Sequence, residues 1–240
     1  MATYTAVADA NGDFTVPFSS NYTAGQKVIV TAEKSGATKT IELFAPSDPY
    51  GGGVIQFGGS LANFPNGITS VTINLPSIAN NAFNTGANTQ IFLKATSLIL
   101  LSATSIGDYA FSGWSNAVNL TLPEGLLTIG QRAFSGWAKL NGVVIPNSVA
   151  TIGAYAFDSN AYMLNITIGD GVTQINGQAF AYLTRMQNLY IKPPTPPTLL
   201  DDAFASIRSA CVFHVPAASL AAYQAAPFWS KYASKMVGDL

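Results

Sequence analysis

A short apolar phrase recurs through the middle of the chain and defines its organisation. An aliphatic residue is followed by three variable residues and then by Ala-Phe, and successive Phe residues stand 28, 23, 23, 23 and 24 positions apart. The six copies are Ile78–Phe83, Ile106–Phe111, Ile129–Phe134, Ile152–Phe157, Ile175–Phe180 and Leu199–Phe204. A period of this length predicts a solenoid, because a single unit cannot bury its apolar side and stacked units share one core.

Each unit also carries a short strand between one Ala-Phe and the next. Two apolar residues stand two positions apart there, as Val143 and Ile145 do, which is the spacing of a strand with one buried face. Pro146 follows directly and ends the strand. One unit is therefore predicted as strand, turn, aliphatic residue, Ala-Phe corner and loop.

The first units depart from this standard length. Repeat-like strands begin near Ile68, and the segment 84–105 is five residues longer than the other units. Its pattern allows a strand at either Ile91–Leu93 or Leu98–Leu100. Atypical units near an end are usual in solenoids.

Strands are also predicted before the repeats. Their ranges are Tyr4–Ala8, Phe14–Phe18, Lys27–Glu33 and Thr38–Phe44. Asn11-Gly12 and Ser35-Gly36 are hairpin turn signals between them. A sheet this small rarely folds alone, so residues 1–46 are expected to be a β module that docks on another surface. The Gly- and Pro-rich stretch 47–67 is predicted as a linker to a solenoid of residues 68–216.

A cap is predicted at the other end of the solenoid, over residues 217–240. The stretch 217–226 reads as a short helix whose apolar face includes Tyr223. Phe228 and Trp229 are expected to seal the last repeat together with this face. An open solenoid end would otherwise expose a strand edge and the core.

Two phrases carry a resemblance to a known family. LTLPEGLLTIGQRAFSGW and VVIPNSVATIGAYAF closely resemble the BspA-type leucine-rich repeats of bacterial surface antigens, and PPTPPTLLDDAF with VFHVPAASLAAYQAAPFWSKY resembles that family's usual ending. The resemblance covers roughly residues 68–236. It implies a mainly β fold, a right-handed leucine-rich-repeat solenoid, with surface display and adhesion or partner binding but no catalysis. Residues 1–46 resemble half of a bacterial immunoglobulin-like module.

Composition and charge narrow the range of partners. Charged residues are only 10% of the chain, hydrophobic residues are 48%, and the net charge is −1. Such a balance offers no attraction to nucleic acid or to an anionic membrane. No apolar run reaches the roughly 20 residues that span a bilayer, and the N-terminal stretch does not read as a signal peptide. The uncharged surface predicts an extracellular or virion-surface location.

Candidate catalytic and metal-binding residues do not form a recognisable constellation. The stretch Asp9–Asp13 imitates the start of a calcium loop, but Ser20 stands where a bidentate Glu is required. His214 is expected to point outward from its strand without a carboxylate partner, which makes a poor metal ligand or base. Cys211 is expected to be a buried thiol on the opposite face. We therefore predict no enzyme activity, no cofactor and no metal site.

Two rows of outward strand positions form the candidate binding face. They are Asn119, Gly142, Asn165 and Asn188 in one row, and Thr121, Val144, Thr167, Tyr190 and His214 in the next. A solvated sheet with polar ladders and a shallow binding face for glycan or protein are both compatible with these residues. Trp114 and Trp137 share one repeat position, where they either fill the core or offer a sugar-stacking platform.

These features predict a non-catalytic structural and adhesive module. The favoured hypothesis is a virion-associated protein, from a phage tail or capsid surface, that residues 1–46 attach to a larger assembly. The solenoid would then contact a host glycan or protein. The alternative is a fragment of a secreted bacterial adhesin, and a carbohydrate-active hydrolase is less favoured because no pair of acids recurs. Exposed N-terminal strand edges suggest a homo-oligomer, with a cyclic trimer as one form.

Overall fold

The computed structural model describes Val7 and residues 14–18, 27–34, 37–44, 53–59, 68–85 and 92–240. Strands and turns make up most of these residues, and helix is confined to short segments. The predicted strand Tyr4–Ala8, apart from Val7, lies outside the described residues, as do the turns Asn11-Gly12 and Ser35-Gly36.

Each repeat supplies one longer strand and one strand of two residues. In chain order the strands are β1 (Phe14–Phe18), β2 (Lys27–Lys34), β3 (Ala37–Phe44), β4 (Gly53–Gly59), β5 (Ile68–Asn74), β6 (Ser77–Ile78), β7 (Ser97–Leu100), β8 (Ser105–Ile106), β9 (Asn119–Thr121), β10 (Thr128–Ile129), β11 (Gly142–Ile145), β12 (Thr151–Ile152), β13 (Asn165–Ile168), β14 (Gln174–Ile175), β15 (Asn188–Ile191), β16 (Thr198–Leu199), β17 (Val212–Val215) and β18 (Met236–Gly238).

These strands build the solenoid as parallel sheets. The two-residue strands β6, β8, β10, β12, β14 and β16 form one continuous parallel sheet. The longer repeat strands form two further parallel ladders, β5–β7–β9 and β11–β13–β15–β17. The prediction of a mainly β repeat solenoid is confirmed.

The Phe residues of the repeats stack into one column at the centre of the solenoid. Consecutive rings from Phe83 to Phe204 lie 5.2–5.6 Å apart between centroids and within 3–19° of parallel. Each of these six rings is at most 1% exposed. Every repeat therefore inserts an equivalent set of side chains into one shared core, as the constant spacing predicts.

The long unit contains its strand at the second of the two candidate positions. β7 includes Leu98–Leu100, whereas Phe92–Lys94 forms a 3₁₀ turn. Phe92 is buried and stacks on Trp114 with ring centroids 4.8 Å apart. The extra residues thus supply an aromatic ring that covers the first tryptophan.

A strand occupies part of the predicted linker, and that prediction is wrong for residues 53–59. β4 pairs antiparallel with β5, and β1 pairs antiparallel with β4, so the sheet order is β1–β4–β5–β7–β9. The glycines at both ends of β4 suggest an irregular segment, but Val54–Phe57 between them has the composition of a strand. β4 therefore covers the edge of the first repeat strand. The predicted domain boundaries stay a prediction.

The β2 and β3 strands form a separate antiparallel hairpin. Their ladder runs from Lys27 opposite Phe44 to Lys34 opposite Ala37. Phe18 and Gly53 are partners at the end of the β1–β4 ladder. Residues 19–52 are therefore an insertion between two strands that pair with each other.

Residues after β17 fold over the last repeat. A 3₁₀ turn (Ala217–Ser219), helix α1 (Leu220–Ala225) and a second 3₁₀ segment (Trp229–Lys235) lead to β18, which pairs parallel with β17. The predicted capping helix is present in a shorter form.

Two buried aromatic residues fasten this cap to the repeats. The Tyr223 hydroxyl donates to the Pro193 carbonyl at 2.8 Å, and Trp229 Nε1 donates to the Pro197 carbonyl at 2.7 Å. The prediction for Phe228 is wrong, because its side chain is 49% exposed. Phe228 takes the left-handed backbone, φ 63°, at the turn between α1 and the next segment.

Candidate functional site

The outward positions of β9, β11, β13, β15 and β17 form a single surface, which we call the outer face. Strand register aligns Val144, Thr167, Tyr190 and His214 in one row, and Gly142, Asn165 and Asn188 in the next. Asn119 and Thr121 hold the equivalent positions on β9, and both are exposed. The register therefore aligns five of the seven residues of the predicted binding face, and the other two, Asn119 and Thr121, lie on β9.

A row of hydrogen bonds orders the C-terminal part of the outer face. Asn188 Nδ2 donates to Asn165 Oδ1 at 2.9 Å, and His214 Nε2 lies within hydrogen-bond distance of Asn188 Oδ1, at 3.2 Å. The His214 ring also stacks on Tyr190, with ring centroids 4.6 Å apart. Four of the predicted residues therefore hold one another in place across three repeats.

Asp239 completes this row, although the sequence alone does not point to it. His214 Nδ1 lies 2.9 Å from Asp239 Oδ2. The carboxylate accepts this hydrogen bond, so His214 donates through Nδ1. The expectation that His214 has no carboxylate partner is wrong, because β18 pairs with β17 and brings Asp239 beside it from 25 residues away.

The two tryptophans of the repeat loops lie in the core. Trp114 and Trp137 are 0% exposed and stack on each other with ring centroids 5.5 Å apart. Their Nε1 groups donate to the carbonyl oxygens of Phe83 and Phe111 at 2.8 and 2.7 Å. Neither ring has a free face, so the sugar-stacking alternative is wrong and these residues fill the core.

The outer face is interrupted between β9 and β11. Among the described strands, β9 pairs with β7 and β11 pairs with β13, and no ladder joins β9 to β11. The two-residue sheet stays paired across the same repeats, from Ile106 through Ile129 to Ile152. The Phe111 and Phe134 rings also keep their 5.6 Å stacking. The interruption is therefore local to the outer face.

This interruption opens a groove of about 440 Å³. Residues on or directly after β9, β11 and β13 line it, and these are Leu120, Thr121, Leu122, Glu124, Gly142, Val143, Val144, Pro146, Asn165 and Thr167. A Cβ atom on Gly142 would stand 2.9 Å from the carbonyl oxygen of Asn165. The absence of that atom lets β11 lie close to β13.

Cys211 is buried and has no base beside it. The side chain is 2% exposed, and burial raises the pKa of the Cys211 thiol to about 11. The thiol is therefore neutral near pH 7. His214 faces outward on β17 and bonds Asn188 and Asp239 through its two ring nitrogens. The structure thus gives Cys211 no activating partner.

The described residues contain neither a cluster of metal ligands nor a membrane-spanning helix. No group of three or more His, Cys, Asp or Glu residues that could hold a metal ion occurs in the described part of the chain. The calcium-like stretch Asp9–Asp13 lies outside that part. The described helices are all too short and too polar to cross a bilayer.

Parallel strands that repeat at a nearly constant period and a stacked Phe column together define a leucine-rich-repeat solenoid. The family described as the BspA type leucine rich repeat region matches six copies over residues 76–210, which is more than half of the chain. The chain belongs to this family. Its members are cell-surface proteins.

Solved structures of bacterial leucine-rich-repeat proteins are similar to this chain. The pneumococcal vaccine antigen PcpA has a TM-score of 0.50 at 17% identity, over 68% of this chain and 49% of that one. A leucine rich cell surface protein from Faecalibacterium prausnitzii A2-165 has 0.44 at 21% identity, over 57% and 38%. The T. pallidum leucine rich repeat protein has 0.46 at 18% identity, over 77% and 95%.

The similarity to PcpA supports the fold and says nothing about a ligand. The chain spans less than half of PcpA and of the Faecalibacterium protein. None of the curated proteins matches the chain.

Proposed function

We propose that this chain is a non-catalytic binding module that is displayed on a surface and contacts its partner through the outer face. The observation that carries the proposal is the bonded row Asn165–Asn188–His214, stacked with Tyr190, on a flat side of the sheet. Polar side chains that hydrogen bonds already hold in place on a repeat surface lose little conformational entropy when a partner binds. The row therefore offers a prearranged set of donors and acceptors.

The absence of an activated nucleophile in the described residues supports binding without chemistry. Cys211 has a raised pKa and is buried, and the two ring nitrogens of His214 are both engaged. Membership of a family of surface proteins supports display outside the cell. The proposal names two partner classes, a host glycan and a host protein, because Asn, Thr and Tyr side chains serve both.

Attachment is assigned to residues 1–46. The β2–β3 hairpin is inserted between two paired strands, so it can hold the chain to a larger assembly without disturbing the solenoid. Two assemblies are proposed. Family membership favours a bacterial cell surface, and the low charge with a compact N-terminal β part favours a phage tail or capsid surface.

Binding to arrays of surface glycans and of extracellular proteins tests the proposal. We expect the labelled full chain to bind a restricted set of spots and to leave the bound molecules chemically unchanged by mass spectrometry. Cleaved or modified ligand would contradict the non-catalytic assignment. Immunogold labelling of bacteria and of phage particles then decides between the two assemblies, and labelling of neither would contradict surface display.

A further inference from the structure

The groove between β9 and β11 exposes part of the apolar core. Leu120 and Leu122 are only partly buried there. The corresponding inward residues of β5, β7, β11, β13, β15 and β17 are at most 5% exposed. Val144, on the outward side of the same groove, is 63% exposed. A partner that covers exposed aliphatic surface of this kind removes it from water, and this stabilises the complex.

One carboxylate stands at the carboxyl-terminal end of this apolar groove. Glu124 follows β9 directly after Pro123 and is exposed. The described residues give its carboxylate neither a hydrogen bond nor an ion pair, and no Lys or Arg lines the groove. Asp170, at the same position two repeats later, is exposed but does not line the groove. This end of the outer face therefore favours a cationic ligand.

An apolar channel that ends on a carboxylate matches a long basic side chain. Arg and Lys have an aliphatic stem that packs on apolar surface and a charged head that seeks a carboxylate. A glycan is a poorer match for this groove, because carbohydrate rings stack on aromatic faces and no aromatic residue lines it. Trp114 and Trp137, the nearest candidates in the repeat, are buried.

We propose that the groove binds an arginine or lysine side chain of a partner protein. The stem lies on Leu120, Leu122 and Val144, and the head pairs with the Glu124 carboxylate. This inference rests on the proposed function, since it names the partner chemistry for the outer face. It narrows the two partner classes to a protein with an exposed basic residue.

A pair of matched peptides tests this assignment in the full chain. Acetyl-Ala-Arg-Ala-amide is titrated into ¹⁵N-labelled protein and compared with the citrulline peptide, which has the same shape without the charge. We expect saturable shifts of groove amides such as Thr121 and Val144, and binding about fivefold weaker for citrulline. Glu124→Gln should lower arginine binding to the citrulline level, whereas Asp170→Asn should leave it unchanged.

Several results would overturn the inference. Equal binding of the two peptides, shifts that lie outside the groove, or no effect of Glu124→Gln would each do so. A glycan that saturates the same groove amides more strongly than the arginine peptide would assign the groove to carbohydrate. If the peptide test fails but outer-face variants still lose array binding, only the assignment of the groove to a basic side chain is wrong. If the unmodified chain binds nothing on the arrays, the proposed function itself is wrong.

Discussion

His214 on the last repeat strand lies 2.9 Å from Asp239, near the end of the cap. The pair joins the cap to the outer face, because His214 also bonds Asn188 of the preceding repeat. The same contact therefore orders a proposed binding surface and helps to hold β18 on β17. Side-chain exposure is 16% for His214 and 51% for Asp239, so water screens the pair in part.

Replacement of Asp239 should weaken the fold slightly. We expect Asp239→Ala to lower the free energy of unfolding by about 0.2–1 kcal/mol, the range of partly exposed pairs. Glu124→Ala is the control, since that exposed carboxylate has no partner among the described residues. Denaturant unfolding at pH near 6 measures both variants. Equal stability of the two would show that the His214–Asp239 pair contributes nothing.

The contact of the cap with Asp202 should make stability fall in acid. Partial burial raises the pKa of Asp202, but hydrogen bonds from Lys231 and Tyr232 outweigh it, and the net effect holds the pKa below its usual range. Because the pKa of Asp202 is lower in the folded state, the group stabilises the fold at pH values above the pKa of an unfolded Asp, about 3.9. That stabilisation is lost as the pH falls from this value through the lower pKa of the folded state.

Unfolding of Asp202→Asn at pH about 6 and about 2.5 checks this dependence. The variant should be less stable than the natural chain at the higher pH, and the difference should shrink at the lower one. Asp201→Asn is the control, because Asp201 is exposed and lies next to Asp202 in sequence. A difference that stays constant between the two pH values would contradict the assignment.

The Phe column should dominate stability. Phe157 is 0% exposed and stacks on both Phe134 and Phe180. We expect Phe157→Ala to cost about 3–5 kcal/mol of unfolding free energy, as truncation of a buried aromatic ring does. Tyr162→Ala, at a side chain that is 53% exposed, should cost less than about 1 kcal/mol. An unchanged melting curve for Phe157→Ala would contradict the repeat register.

The N-terminal insertion should be separable from the solenoid. Phe18 faces Gly53 across the β1–β4 ladder, so residues 19–52 can be replaced by an Asn-Gly turn that keeps both strands. We expect the shortened chain to melt like the natural one but to fail to join its assembly. Retained assembly, measured by sedimentation with the parent particle or cell envelope, would move the attachment role to the repeats.

A chain that also lacks β4 should behave differently from the chain that lacks only residues 19–52. A chain that begins at residue 60 lacks the strand that pairs with β5, and an open edge of this kind promotes association between chains. We expect it to aggregate. A monomeric and equally stable truncated chain would show that β4 does not serve as a cap.

The core of the fold could be predicted from the sequence because its period is nearly constant. Once the Ala-Phe corners are aligned, the offset from each Phe assigns every inward residue, and Ile166 and Ile168 are both 0% exposed as expected. The outward rows follow from the same offsets. The strand register of the structure aligns these positions in the same way, for example with Tyr190 beside His214.

Other features depend on contacts that a repeat pattern does not encode. Asp239 reaches His214 through the pairing of β18, a single strand outside the repeats. The groove forms where a ladder is missing, yet Asn119–Thr121 has the same alternation as strands that pair. Tyr109, Arg132 and Tyr155 adopt left-handed backbone, with φ of 57°, 54° and 58°, although none of these positions is a glycine.

Two charge substitutions test whether the outer face is the surface that binds the partner. Val144→Lys places a long, positively charged side chain on this face at a side chain that is 63% exposed, and Leu127→Lys does the same elsewhere on the repeat at one that is 52% exposed. Neither change disturbs the core, so both variants should melt like the natural chain. On the glycan and protein arrays, Val144→Lys should lose the bound spots and Leu127→Lys should keep them. Equal binding by the two variants would show that the outer face is not the binding surface.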